Sequence, residues 1–142
     1  MKDTRLSDVL HVLLHLDQVE EPVTSEVLAQ SIGTNPAVFR RTMAGLRNAG
    51  YVQAGRGQGG GWKLARPLSR ISLLDVYQAL GRPTLFAIGN RSDRPDCKIE
   101  RNVNEALKDT MSQAEDLFLQ RFDAISLDTL VPSRAGRSKH GR

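Results

Sequence analysis

The sequence predicts a mainly α-helical protein with one small β-hairpin: a winged helix-turn-helix domain followed by a long helix that pairs with another helix. Three observations predict it. Two short helical segments, each with its own cap signal, flank a glycine turn between residues 24 and 50. The glycine-rich run GRGQGGG (residues 55–61) sits between two strand-like pieces. An apolar repeat at helical spacing then runs from about Cys97 to Phe122.

The 142 residues suit one domain with an added helix. No run of eighteen apolar residues occurs, so no membrane-spanning helix is expected. The start, MKDTRLSD, lacks the apolar segment and cleavage site of a signal peptide, and the expected location is the cytoplasm. Cys97 is the only cysteine, which excludes an intrachain disulfide and a four-thiolate zinc site within one chain.

The first helix shows Leu6, Val9, Leu10, Leu13 and Leu16 on one face. Pro22 interrupts the pattern. Thr24 or Ser25 then caps a short helix that ends at Gly33, and Asn35 with Pro36 opens the next. On that third helix Val38, Phe39, Met43, Leu46 and Ala49 share the face expected to be buried. The opposite face presents Ala37, Arg40, Arg41, Ala44, Arg47 and Asn48. A helix with arginines and small residues outward suits the major groove of DNA, where arginine bonds guanine edges or phosphate.

Tyr51, Val52 and Gln53 read as a strand and Trp62, Lys63 and Leu64 as its return, so the glycines form the tip of a wing. Arg56, Gly57, Gln58 and Gly59 at the tip, with Lys63, are expected to approach the DNA backbone or the minor groove. A phosphate-binding P-loop is excluded: Lys63 lies in a strand and no Ser or Thr follows it. Thr24, Ser25 and Asn35 complete the expected DNA contacts, at helix starts. After the wing, Ser72 caps a helix with Asp75 three residues on, and residues 82–96 are irregular. The long helix carries Ile99, Val103, Ala106, Leu107, Met111, Ala114, Leu117, Phe118 and Phe122 in a stripe, and a symmetric homodimer is the expected use of it. Packing on its own domain is the alternative. The expected division is residues 1–81 for the winged domain, 82–97 for a loop, 98–131 for the dimerisation region and 132–142 for a basic disordered tail.

Charge placement supports a polyanion partner. The tail from residue 133 holds Arg134, Arg137, Lys139 and Arg142. Without those four of the 20 cationic residues, 16 remain against 16 acids, so the body is neutral. Yet residues 27–74 contain no Asp or Glu, while Arg40, Arg41, Arg47, Arg56, Lys63, Arg66 and Arg70 all lie there. The expected function is a sequence-specific regulator binding double-stranded DNA. A winged-helix module for RNA or protein is the alternative. No enzyme is expected, since Cys97 with His11 or His15 has no orienting partner.

The runs NPAVFRRTMAGLRNAGYVQAGRGQGGGWKLARP and ISLLDVYQAL resemble the Rrf-two family of bacterial winged-helix regulators. The most specific elements are Leu46, Arg47, Ala49 and Gly50, then LARP after the wing, then SLLDV. The resemblance implies a homodimeric transcription regulator, usually a repressor, with DNA contacts on the recognition helix and wing. Cluster-binding members carry three cysteines in the loop and at the start of the long helix. Only Cys97 stands here, so no cofactor is expected and an iron–sulfur cluster is improbable.

Three sensor candidates remain. Cys97 sits at a helix start; Arg94, Lys98 and Arg101 favour a reactive thiol there, and Asp96 and Glu100 oppose one. Asp8, His11 and His15 share one arc of the first helix and form a minor metal-site candidate, with a plain solvated face as the alternative. Residues 84–88 (TLFAI) are apolar for a loop; they line a pocket for a small effector or, as preferred, pack beneath the long helix.

Overall fold

A computed structural model describes residues 2–57, 60–92 and 96–132. The elements run α1 (Arg5–Asp17), α2 (Ser25–Ser31), α3 (Pro36–Asn48), β1 (Val52–Ala54), β2 (Trp62–Leu64), a 3₁₀ turn (Leu68–Arg70), α4 (Leu73–Ala79), α5 (Lys98–Asp123) and a last 3₁₀ turn (Leu127–Leu130). The expected architecture of helices with one hairpin is therefore present.

Local chemistry sets the helix starts. The Val27 N–H donates to Thr24 Oγ1 (3.3 Å) and the Val38 N–H to Asn35 Oδ1 (2.9 Å), so each cap satisfies an amide that the helix leaves free. Ser72 and Asp75 form a reciprocal capping box at α4. Cys97 is the N-cap residue of α5. The hairpin pairs Val52 with Leu64, Gln53 with Lys63 and Ala54 with Trp62, one residue later than expected at its start. Val23 adds a third, single-residue rung: its N–H donates to Trp62 O (3.0 Å) and its carbonyl accepts from Trp62 N–H (2.7 Å). Gly61 makes this possible, because a Cβ there would lie 2.7 Å from Val23 O.

The core gathers Val9, Val12, Leu13 and Leu16 of α1, Leu28 and Ala29 of α2, and Phe39, Met43 and Leu46 of α3. Val52, Trp62, Ile71, Val76 and Leu80 close it from the wing and α4. Each fully buried side chain of this size contributes about 1.5–3 kcal/mol. Two expectations for α3 fail. Val38 is 42% exposed, at the edge of the packed strip beside Arg41 and Ala79. Ala49 is exposed because it is the C-cap, where the chain leaves the helix.

The chain after α5 returns to the winged domain. Leu127 is fully buried in the same core, and its N–H donates to Ile71 O (2.8 Å). Ser126 bridges Ser72, and the Leu73 N–H donates to Ile125 O (2.9 Å). The last residues of the expected dimerisation region thus belong to the winged domain's core. The basic tail from residue 133 lies outside the described residues. Among the described residues no helix is long and apolar enough to cross a membrane.

Candidate nucleic-acid interface

The arginines of α3 and the wing meet. Arg40, Arg41, Ala44 and Arg47 from the helix and Ala54, Gly55, Arg56 and Gly61 from the wing line one concavity of about 560 Å³, with Trp62 at its floor. Its cationic side chains are exposed. Trp62 itself is 5% exposed, and its Nε1–H donates to Ser25 Oγ (2.8 Å). Phe39 meets its ring edge-on at 6.2 Å. One indole therefore ties the wing root to α2 and α3, so helix and wing present their arginines as one body. At the root of the hairpin the Arg66 guanidinium stacks 5.1 Å over the Tyr51 ring.

Several expected contact residues have other roles. Ser25 is buried and its hydroxyl is taken by Trp62, which removes it from the exposed set. Thr24 and Asn35 cap α2 and α3, with Asn35 and Ala37 exposed outside the concavity. Lys63 lines a different depression, with Asp17, Glu20 and Arg66, because adjacent strand residues point to opposite faces and Trp62 takes the inner one. That alternation was available from the sequence. Gln58 and Gly59 lie outside the described residues; Gly57 is left-handed at φ 76°.

Two residues were not signalled. Glu26, just before the acid-free block, accepts from Arg40 Nη2 at 2.6 Å. Gly45, on α3, lets the carbonyl of Ala79 approach so closely that a Cβ would sit 2.4 Å from it. This fixes the recognition helix against α4.

The other candidates are placed as follows. Cys97 is exposed. His11 and His15 are exposed, with Nε2 atoms 2.9 Å apart and one nitrogen donating to the other. Asp8 instead accepts from Thr4 Oγ1 (2.9 Å). Among the described residues no three His, Cys, Asp or Glu side chains converge as a metal site. One thiol does not supply the donor set of an iron–sulfur cluster, which is usually held by four ligands, mostly thiolates.

The sequence profile of Rrf2, described as an iron-dependent transcriptional regulator family, matches residues 2–133. The chain belongs to the Rrf2 family. It is 32% identical over 116 residues to YwnA of Bacillus subtilis, designated a candidate HTH-type transcriptional regulator; the match covers 81% of this chain and 85% of YwnA. Among solved structures it is similar to a candidate transcriptional regulator of Lactobacillus plantarum (TM-score 0.76, 27% identity, 97% of this chain and 92% of that one). CymR, the global cysteine regulator of Bacillus subtilis, shares the fold (TM-score 0.59, 21% identity, 92% and 95% covered). This Rrf2 chain is a DNA-binding transcriptional regulator and not an enzyme.

Proposed function

We propose that this regulator binds two-fold operators as a homodimer and represses transcription, in the cytoplasm and without a resident cofactor. The observation that carries the DNA mode is the concavity where Arg40, Arg41 and Arg47 of α3 face Arg56 of the wing. In this reading α3 enters the major groove and Arg56 reaches the flanking minor groove. Ala44 leaves the middle of the helix free of bulk, so the backbone approaches the bases. Support for the dimer comes from α5: Ile99 is 74% exposed, Val103 49% and Leu117 60%, an apolar strip left uncovered among the described residues.

The test is a titration with duplex DNA from upstream of the protein's own gene, against bulk DNA and RNA competitors. Arg41→Ala is expected to weaken specific binding by about 1–3 kcal/mol and to relax preference at one base pair. Equal competition by RNA, or equal loss on every duplex, would replace operator reading with the plain nucleic-acid module. Cys97 is the candidate sensor, exposed at the N-cap of α5. Repeating the titration after diamide treatment, with Cys97→Ser as control, decides whether the thiol carries the signal. The identical response of wild type and Cys97→Ser would dismiss it.

A further inference from the structure

The apolar stripe of α5 is two strips. At about 100° per residue, Ile99, Val103, Ala106 and Leu117 fall within an arc of about 60°, and all four are exposed. Met111, Glu115 and Phe122 lie about 120–160° further round and are half-buried. Between this second strip and residues 82–90 lies a cleft of about 530 Å³. It is on a different side of α5 from the open strip. Its size is that of a small-molecule site.

The walls divide by chemistry. Leu85, Phe86, Ile88 and Met111 supply an apolar side; Arg82 and Lys108 supply two cations, against one acid, Glu115. Neither cation pairs with a carboxylate among the described residues. Ile88 is 62% exposed, an uncovered apolar side chain at the rim. Arg82 is the one described non-glycine residue with a left-handed backbone, φ 55°. That conformation is unfavourable for a side chain. The chain nonetheless holds it, with the Arg82 N–H donating to Tyr77 O (3.1 Å) and the Tyr77 hydroxyl to Pro83 O (2.5 Å). Burial first, then the nearby Glu115 carboxylate, raises the Tyr77 phenol above its ordinary pKa, so it keeps the proton it donates.

The cleft is connected to the DNA-facing surface. Tyr77 forms part of its wall and stands on α4 two residues from Ala79, whose carbonyl abuts Gly45 of α3. Edge-to-face rings continue from Tyr77 through Phe122 and Phe118 to Phe86 of the loop, at 5.8, 6.0 and 5.9 Å. A molecule in the cleft would touch Tyr77 of α4, and Ala79 of the same helix packs closely on α3.

We propose that this cleft binds a small organic acid with an apolar body, its carboxylate on Arg82 and Lys108 and its body on Phe86, Ile88 and Met111, and that binding changes operator affinity through α4. The second half rests on the DNA-binding reading; the first does not. The test uses the full-length protein in calorimetric titrations with hexanoate and phenylacetate, and with hexanamide and phenylacetamide as neutral controls. At least one acid is expected to bind saturably, with its amide weaker by about tenfold or more. Lys108→Gln, at an exposed helical position, and Arg82→Gly, which suits the left-handed backbone, are each expected to weaken the acid by about fivefold or more. No saturable binding by either acid, equal binding of acid and amide, or unchanged binding in both variants overturns the site. If the site holds, saturating acid is expected to shift the operator titration by about threefold or more. An unshifted titration overturns the coupling through α4. Acid binding in a protein that recognises no operator leaves the cleft standing and removes the DNA reading.

Discussion

The first four helices and α5 treat their apolar residues in opposite ways. Val12, Leu13, Met43 and Leu46 are at most 1% exposed, and the caps, the wing and the return of Leu127 seal them. In α5, 26 residues long, not one is buried. The same chain thus completes one half of itself and leaves the other open. The sealed half mounts the arginines of α3 and the wing, since Trp62 and Gly45 tie wing and α3 to their neighbours. The open half has one flank half-buried against that mount, with Phe122 on Tyr77, and another facing away. Under the proposals above, DNA reading falls to the half that is finished, and assembly and signal to the half that is not.

The strongest way to break this comparison is to spoil the open flank. Ile99→Glu with Leu117→Glu replaces two exposed side chains, so the monomer's fold is expected to survive. Sedimentation at micromolar concentration is expected to show a monomer. Operator affinity is expected to fall by about 10²–10⁴-fold, because the second half-site contact ceases to be intramolecular. A double variant that still sediments as a dimer would place assembly elsewhere.

Next in size are substitutions inside the sealed half. Leu127→Ala is expected to cost about 2–5 kcal/mol in urea denaturation, as a buried leucine in a filled core does. A loss well under 1 kcal/mol would mean that the segment after α5 is only laid on the winged domain. Gly45→Ala is expected to cost about 1–3 kcal/mol, since its Cβ meets the backbone carbonyl of Ala79 at 2.4 Å. It also pries α3 from α4, so DNA binding is expected to weaken by more than the small added unfolded fraction explains. Unchanged DNA affinity in a destabilised Gly45→Ala protein would show that α3 needs no seat on α4 to read DNA.

What was legible in the sequence follows from the range of the interactions. Caps are local: Thr24, Asn35 with Pro36, and Ser72 with Asp75 announce helix starts within three residues, and all three are present. The hairpin is nearly as local, and only its first strand is displaced, by one residue at each end. Contacts between distant residues left no pattern. Nothing near Ser25 says that an indole 37 residues on will take its hydroxyl, nothing near Gly45 announces the α4 carbonyl, and Leu127 gave no hint of core status. The stripe on α5 is the intermediate case. Periodicity shows that a helix is amphipathic, but two adjoining apolar arcs, one exposed and one half-buried, read as one stripe. Of the two readings of residues 84–88, the packing is present, with Phe86 on Phe118; the same loop walls a cleft, and an effector in it is the proposal above.

The smallest expected effect tests the reading surface alone. Glu26 and Arg40 form an ion pair at 2.6 Å, with side chains 62% and 54% exposed. At that exposure such a pair is worth about 0–1 kcal/mol to folding, so Glu26→Gln is expected to leave the melting temperature almost unchanged. Its effect on DNA binding has a sign that is worth having. If Arg40 serves phosphate, losing the acid frees a cation and removes a repulsion, and affinity rises, by less than about tenfold and mainly at low salt. If Glu26 instead holds the guanidinium in the posture that reads a base, affinity for the preferred operator falls while affinity for bulk DNA rises. The two outcomes separate a rigid reading head, with its side chains set before DNA arrives, from one whose backbone is fixed and whose arginines are not. Measuring specific and bulk affinities of Glu26→Gln side by side distinguishes them, because only a pre-set arginine makes the two move in opposite directions.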